Sequence, residues 1–222
     1  GYKFAIIRAT VGNYYTDPTF EANWDGAKNA GLQVGAYHVV RADNSVESQL
    51  LRLRGALDGN NPKLVVLDAE VSPAGMSQFD IERAHYWMGR RTREFYNPLD
   101  AEVGWYSAAW WWNPNIKQQG WVAGDPFLWW MAAYGANTGQ PEWATPPTNV
   151  IPIGWPRWDA WQYTSKGAVP GIAGYVDLNL MKDEAFAQIW GISPLPPPSN
   201  EPVKVTVTVP ANAEIIEIRR QI

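Results

Sequence analysis

The stretch Lys63-Leu64-Val65-Val66-Leu67-Asp68-Ala69-Glu70 decides how the rest of the chain is read. Leu64 to Leu67 is a short continuous apolar run, the pattern of a strand covered on both faces. It ends in two acids. Side chains alternate along a strand, so Asp68 and Glu70 point to the same side, with Cα atoms roughly 6.5 Å apart. Two carboxylates facing one way at the exit of a buried strand are costly unless they are solvated or used. Two readings fit. The pair caps neighbouring backbone amides at a strand end, or it is an acid pair at the carboxyl end of a barrel strand, where α/β barrels hold their chemistry.

Working outward, the pattern on both sides is α/β. Phe4 to Ala9 reads as a strand, followed by a loop from Thr10 to Asp17. Asp17 and Pro18 predict a helix start, with Asp as cap and Pro at the first helical position. Phe20, Trp24, Ala27 and Ala30 follow helical spacing, and Gly31 stops it. Leu32 to Val40 is the next strand. Asn44 with Glu47 fits a capping box, and Val46, Leu50, Leu53 and Leu57 make an apolar helical stripe. Past Glu70, Ser77 to Tyr96 predicts a long helix, and Glu102 to Ser107 a strand. Ala108 to Gln119 predicts an irregular short helix, and Phe127 to Tyr134 another strand. A Pro- and Gly-rich loop covers Gly135 to Trp155. Trp158 to Thr164 and Gly174 to Leu178 read as strands, and Lys182 to Trp190 as a closing helix. Strand–helix alternation argues for parallel strands with crossover helices. The strands number seven, whereas a closed barrel of this type needs eight. Either the sheet is open or one strand is missing at an end.

After Gly191 the composition changes. Residues 193–202 contain Leu195-Pro196-Pro197-Pro198, a stiff extended linker. Val203 to Val209 alternates cleanly as a half-buried strand, and Glu214 to Ile222 resembles a second one, so 203–222 predicts a β-hairpin. A lone hairpin is marginal, which leaves it to dock on the main domain or on a partner, or to begin a further module.

Composition narrows the function classes. At 46% hydrophobic and 18% charged the chain is globular, and with 222 residues it can bury a full core in one domain, here residues 1–192. No apolar run reaches the roughly 18 residues that span a bilayer, so no membrane insertion is expected. The net charge of -4, without a basic block, argues against nucleic acid. With no cysteine there is no disulfide, thiolate site or cysteine nucleophile. His38 and His85 are too few and too far apart for a zinc site, and no metal or cofactor is expected. The 14 tryptophans are the unusual item. Aromatic faces stack on sugars or bases or fill cores, and the acidic balance favours sugar.

Several segments, in order, resemble glycoside hydrolase family 25, the Chalaropsis-type lysozymes, which are N-acetylmuramidases common in phage endolysins. They are Phe4-Ala5-Ile6-Ile7-Arg8-Ala9-Thr10, Asp17-Pro18-Thr19-Phe20 with Asn23, and Ala30 to His38. Leu67-Asp68-Ala69-Glu70, Trp130 to Tyr134, Trp161-Gln162-Tyr163-Thr164-Ser165 and Val176-Asp177-Leu178-Asn179 follow. The likeness covers Gly1 to about Ile192. It implies a TIM-like (β/α)-barrel that hydrolyses the bond between N-acetylmuramic acid and N-acetylglucosamine of peptidoglycan in the bacterial cell wall, as a secreted or phage-encoded protein. By motif, Glu70 matches the general acid, and Asp68 and Asp177 match two further acids of the site. Tyr37, Tyr106, Trp130, Tyr134 and Trp161 fall at or beside groove positions, and Asn179 shares a strand face with Asp177. The family normally begins with a further strand carrying an aspartate, which this sequence does not show. The expected fold is therefore a barrel lacking its first strand, plus the C-terminal hairpin. Three explanations stand: an incomplete amino end, the hairpin covering the gap, or another chain supplying the strand.

Glycoside hydrolysis needs a proton for the leaving oxygen and a group that stabilises an oxocarbenium-like transition state. Partial burial and a neighbouring like charge would raise the pKa of Glu70 toward that of a general acid. A glycan-binding module without activity and a chitinase-like hydrolase are the alternative readings. His38 and His85 read as structural. Trp110-Trp111-Trp112, at the end of the strand carrying Tyr106, read as sugar platforms or as core.

Overall fold

The computed structural model describes residues 2–117, 121–122, 126–169 and 172–192 in full, and the backbone of Val203–Val207 and Ile218–Arg219. The elements follow one another as β1 (Phe4–Val11), β2 (Tyr15–Thr16), α1 (Phe20–Asn29), β3 (Gln33–Val39) and α2 (Val46–Ala56). Next come β4 (Leu64–Asp68), α3 (Gln78–Tyr96), β5 (Glu102–Ala108), α4 (Ala109–Asn115) and β6 (Leu128–Ala132). The series ends with β7 (Ala160–Gly167), β8 (Val176–Met181), α5 (Asp183–Trp190), β9 (Val203–Val207) and β10 (Ile218–Arg219). No helix among the described residues is long and apolar enough to cross a membrane.

Strands β1, β3, β4, β5, β6 and β7 lie side by side and parallel. They form a curled α/β sheet with interspersed helices, an incomplete (β/α)-barrel with C-terminal strands added. Alternation sorts side chains between two apolar layers. Phe4, Ile6, Tyr37, Leu64, Val66, Leu128, Trp130 and Met181 fill the concave interior. Ala5, Ile7, Val65, Leu67, Trp105, Trp129 and Met131 face the helices. Both faces are buried, which is why β4 reads as an unbroken apolar run.

Most of the tryptophans serve the outer layer. Trp112 contacts Trp105, Trp121, Trp129 and Trp155 with ring centroids 5.3–6.4 Å apart. Trp111 and Trp112 are buried there, whereas Trp110 is 70% exposed. His85 is buried between Trp105 and Trp111, its Nδ1 2.7 Å from the Ile81 carbonyl. His38 lies between Thr10 Oγ1 and Gln49 Oε1. Burial lowers both imidazoles to about 4, so both are neutral core groups.

The structure departs from the sequence expectations at several points. The strand expected at Gly174–Leu178 runs Val176–Met181 and is antiparallel to β7. Only residues 168–175 separate the two strands, too few for a helical crossover, so the chain reverses instead. The cap of α2 is Ser45, whose side chain accepts from the Ser48 amide, and not Asn44. Asn44 Oδ1 accepts from the Asn13 amide and ties the first loop to the second. Asp17 stands two residues before the α1 cap, Thr19, accepting from its amide and hydroxyl. The irregular helix is Ala109–Asn115, and its expected end at Gln119 lies outside the described residues, as does the 193–202 linker.

The seam between β1 and β8 is occupied by the chain's own tail. Strand β9 runs parallel to β1, with Ala5 opposite Thr206 and Ile6 opposite Val207. On its other side it runs antiparallel to β8, with Asp177 opposite Val207 and Leu180 opposite Lys204. Strand β10 pairs antiparallel with β9. The hairpin thus joins the two edges of the seven-stranded sheet, one of the three explanations left open by the sequence.

Candidate active site

The reversal at β8 sets the site. In parallel strands the residues at the mouth are carboxyl-terminal, as Asp68 and Tyr106 are. An antiparallel strand brings its amino-terminal residues to the same rim. Asp177, second residue of β8, therefore meets Asp68 and Glu70 in one pocket of about 120 Å³. Arg8, Tyr37, Tyr106, Trp130 and Gln162 complete its wall, with Val39 and Val66 behind them.

A larger cleft, about 350 Å³, lies at the amino ends of β4 and β5, lined by Leu51, Arg54, Asp58, Phe95 and Leu99 among others. It holds no set of interacting acids, so volume does not mark the site here.

The three carboxyls differ in environment. Asp68 is 5% exposed, and its Oδ1 has no hydrogen-bond partner among the described residues. Burial, then the charges of Glu70 and Asp177, raise its pKa well above the carboxylate range, opposed by Arg8. Burial first, then Glu70, push Asp177 up to about 7, while a hydrogen bond from Gln162 opposes the rise. Glu70 lies past the end of β4 at the exposed rim, and the protein crowded around its carboxyl raises its pKa. Like charges this close, in a poorly solvated pocket, favour proton retention. All three carboxyls are thus biased toward holding a proton, the property that proton donation to a leaving oxygen calls on.

Around these acids the polar wall is ordered. Tyr106 and Tyr134 both donate their hydroxyls to Gln162 Oε1. Trp130 Nε1 donates to Asn179 Oδ1 at 2.9 Å. Arg8 is held from behind by Asp17 at 2.8 Å and by the Tyr15 hydroxyl.

Of the residues singled out in the sequence, Glu70, Asp68, Asp177, Tyr37, Tyr106 and Trp130 line the pocket, and Tyr134 reaches it through Gln162. Asn179 is fully buried one step deeper, under Trp130. Trp161 is not brought to the pocket. It is fully buried on the outer face, donates to the Ala133 carbonyl and stacks on Trp143. Its neighbour Gln162 takes the inward position. Gln162 and Arg8 were not identified from sequence. The available signal was a polar side chain inside an otherwise apolar strand: Arg8 after Ala5-Ile6-Ile7, Gln162 between Trp161 and Tyr163.

Comparison with known proteins follows the same line. The family described as Glycosyl hydrolases family 25 matches residues 1–172. Lysozyme M1 of Streptomyces globisporus is 31% identical over 193 residues, 83% of this chain and 62% of that protein. The autolytic lysozyme of Clostridium acetobutylicum is 29% identical over 180 residues, 81% of this chain and 48% of that one. The chain thus spans between about half and two thirds of these relatives' length. Among solved structures, the bacterial lysozyme from Streptomyces coelicolor matches with a TM-score of 0.68 at 29% identity, covering 85% of this chain and 87% of that one. The catalytic domain of endolysin ply40 from bacteriophage P40 of Listeria monocytogenes matches with a TM-score of 0.67, covering 85% and 86%. At 23% identity, that second likeness speaks for the fold alone.

Proposed function

The chain belongs to glycosyl hydrolase family 25, and from that premise we propose that it is a muramidase acting on the bacterial cell wall. It cleaves the β-1,4 bond between N-acetylmuramic acid and N-acetylglucosamine in peptidoglycan. The observation that carries this reading is the meeting of Glu70, Asp68 and Asp177 in one pocket at the barrel mouth, with Glu70 at its exposed rim. Glu70 gives its proton to the glycosidic oxygen as the bond from that oxygen to the sugar's anomeric carbon breaks. Asp68 and Asp177 face the positive charge that develops on the sugar ring. Water then adds to the anomeric carbon and returns a proton to the site. Tyr37, Tyr106, Trp130 and Tyr134 supply ring edges and hydroxyls for the sugars, and Asn179 fixes the Trp130 ring from below. Trp161 supports the wall from outside. Residues 1–192 form the catalytic unit, with 193–202 as linker and 203–222 as the seam-filling tail.

The reading is tested by Glu70→Gln, which keeps shape and removes the proton. Release of reducing ends from purified peptidoglycan is expected to fall by at least about 100-fold. Wild-type turnover in that variant would sink the assignment. Release from chitin but not from peptidoglycan would point instead to a chitinase-like enzyme.

A further inference from the structure

We propose that Gln162 is a positioning residue for Asp177, held in one orientation by a clamp of two phenols, Tyr106 and Tyr134. A primary amide has an accepting end and a donating end, and the two are nearly isosteric. Here both phenolic hydroxyls donate to Oε1, at 2.5 Å each. That fills both lone-pair directions of the oxygen and leaves Nε2, which has only hydrogens to offer, as the donating end in the pocket that Gln162 and Asp177 line together. Turned over, the amide would set its oxygen against a carboxylate and leave both phenol hydrogens seeking new acceptors. The clamp makes that state costly, because unsatisfied buried groups are penalised.

The three members come from separate strands: Tyr106 from β5, Tyr134 just beyond β6, and Gln162 from β7. Gln162 pairs in register with Ala132 on one side and with Asn179 on the other. The clamp therefore fixes the Gln162 amide relative to three strands. The groups that bear on Asp177 are Glu70 and Asp68 from the end of β4, Arg8 from β1, Tyr37 from β3, and the clamp itself. Strand β9 adds backbone at Val207. Gln162 and Asp177 line the same pocket, and an amide donor beside the Asp177 carboxyl favours its ionised form. The clamp is a matter of geometry; its consequence for turnover rests on the muramidase reading.

The test is a carboxyl ¹³C NMR titration of Asp177, identified by its disappearance in Asp177→Asn, alongside the pH–rate profile on peptidoglycan. Gln162→Leu is expected to move the Asp177 midpoint upward by about half a unit or more. Tyr134→Phe, which removes one clamp arm at the half-exposed rim, moves it the same way by less. The acid limb of the rate profile follows both shifts. Tyr134→Phe keeps the test decisive if Gln162→Leu does not fold. An unchanged Asp177 midpoint in the folded variants, with activity lowered evenly across pH, would overturn the proposal and leave Gln162 as packing. A shifted midpoint in a protein that releases no reducing ends would support the clamp while overturning the muramidase reading.

Discussion

Asp177 ties the stability of the protein to pH. A carboxyl whose folded pKa is raised binds more protons folded than unfolded. Stability is then fully present below the unfolded value, near 4, and falls as pH rises through the folded value. For Asp177 that window runs from about 4 to about 7. Asp177→Asn removes the titration while keeping the shape. It is expected to be more stable than wild type at pH 7 by roughly 1–3 kcal/mol and equal to it near pH 3. Urea unfolding across that range measures it, and a constant difference at all pH values would contradict the assigned shift. The acid pair at 68 and 70 was legible because strand parity is local: two residues apart means one side. Gln162 was not. Trp161, Gln162 and Tyr163 lie in a strand buried on both faces, so hydrophobic alternation does not say which side chain turns inward. Its partners are 28 and 56 residues away along the chain, and only register brings them together.

At the level of elements, α3 approaches β5 closely at Gly89. A Cβ at Gly89 would meet Trp105 Cζ2 at 2.9 Å and Phe127 Cζ at 3.0 Å, both on fully buried rings. Neither ring has room to retreat, because Trp105 is packed by Trp112 and Trp121 as well. Gly89→Val is expected to cost about 1–3 kcal/mol through overpacking. A thermal melt would register this as a lowered Tm, and an unchanged Tm would show that the helix can slide outward. The order of helices and parallel strands was readable from periodicity and breakers. The reversal at β8 was foreshadowed only by the shortness of residues 168–175. The α2 cap illustrates the finer limit. Asn44 and Ser45 are both good cap residues, and the choice between them depends on Asn44 being engaged by Asn13, a contact 31 residues away.

For the whole molecule, the decisive element is the one whose role composition could least specify. Strand β9 pairs on both sides, so it removes two edges at once. Thr206 stands opposite Ala5 on one flank and Leu178 on the other. Thr206→Pro deletes its amide donor and is expected to destabilise the fold by at least about 1 kcal/mol. Hydrogen exchange should accelerate in β1 and β8 together. Exchange unchanged in both strands would mean that β9 contributes nothing to closure. The alternating pattern of 203–207 announced a strand, but pairing across nearly the full length of the chain leaves no mark in local sequence.

The tryptophan-lined outer layer also makes the protein an awkward optical object. Rings packed a few ångströms apart exchange excitation among themselves, so the emission reports the shared state of the scaffold. Trp130 is the ring that lines the pocket, and Trp110 and Trp87 are the large exposed indoles among the described residues. A glycan seated over the carboxyls would therefore perturb a small share of the total fluorescence. A quencher dissolved in the buffer would mostly sample two rings that lie outside the pocket.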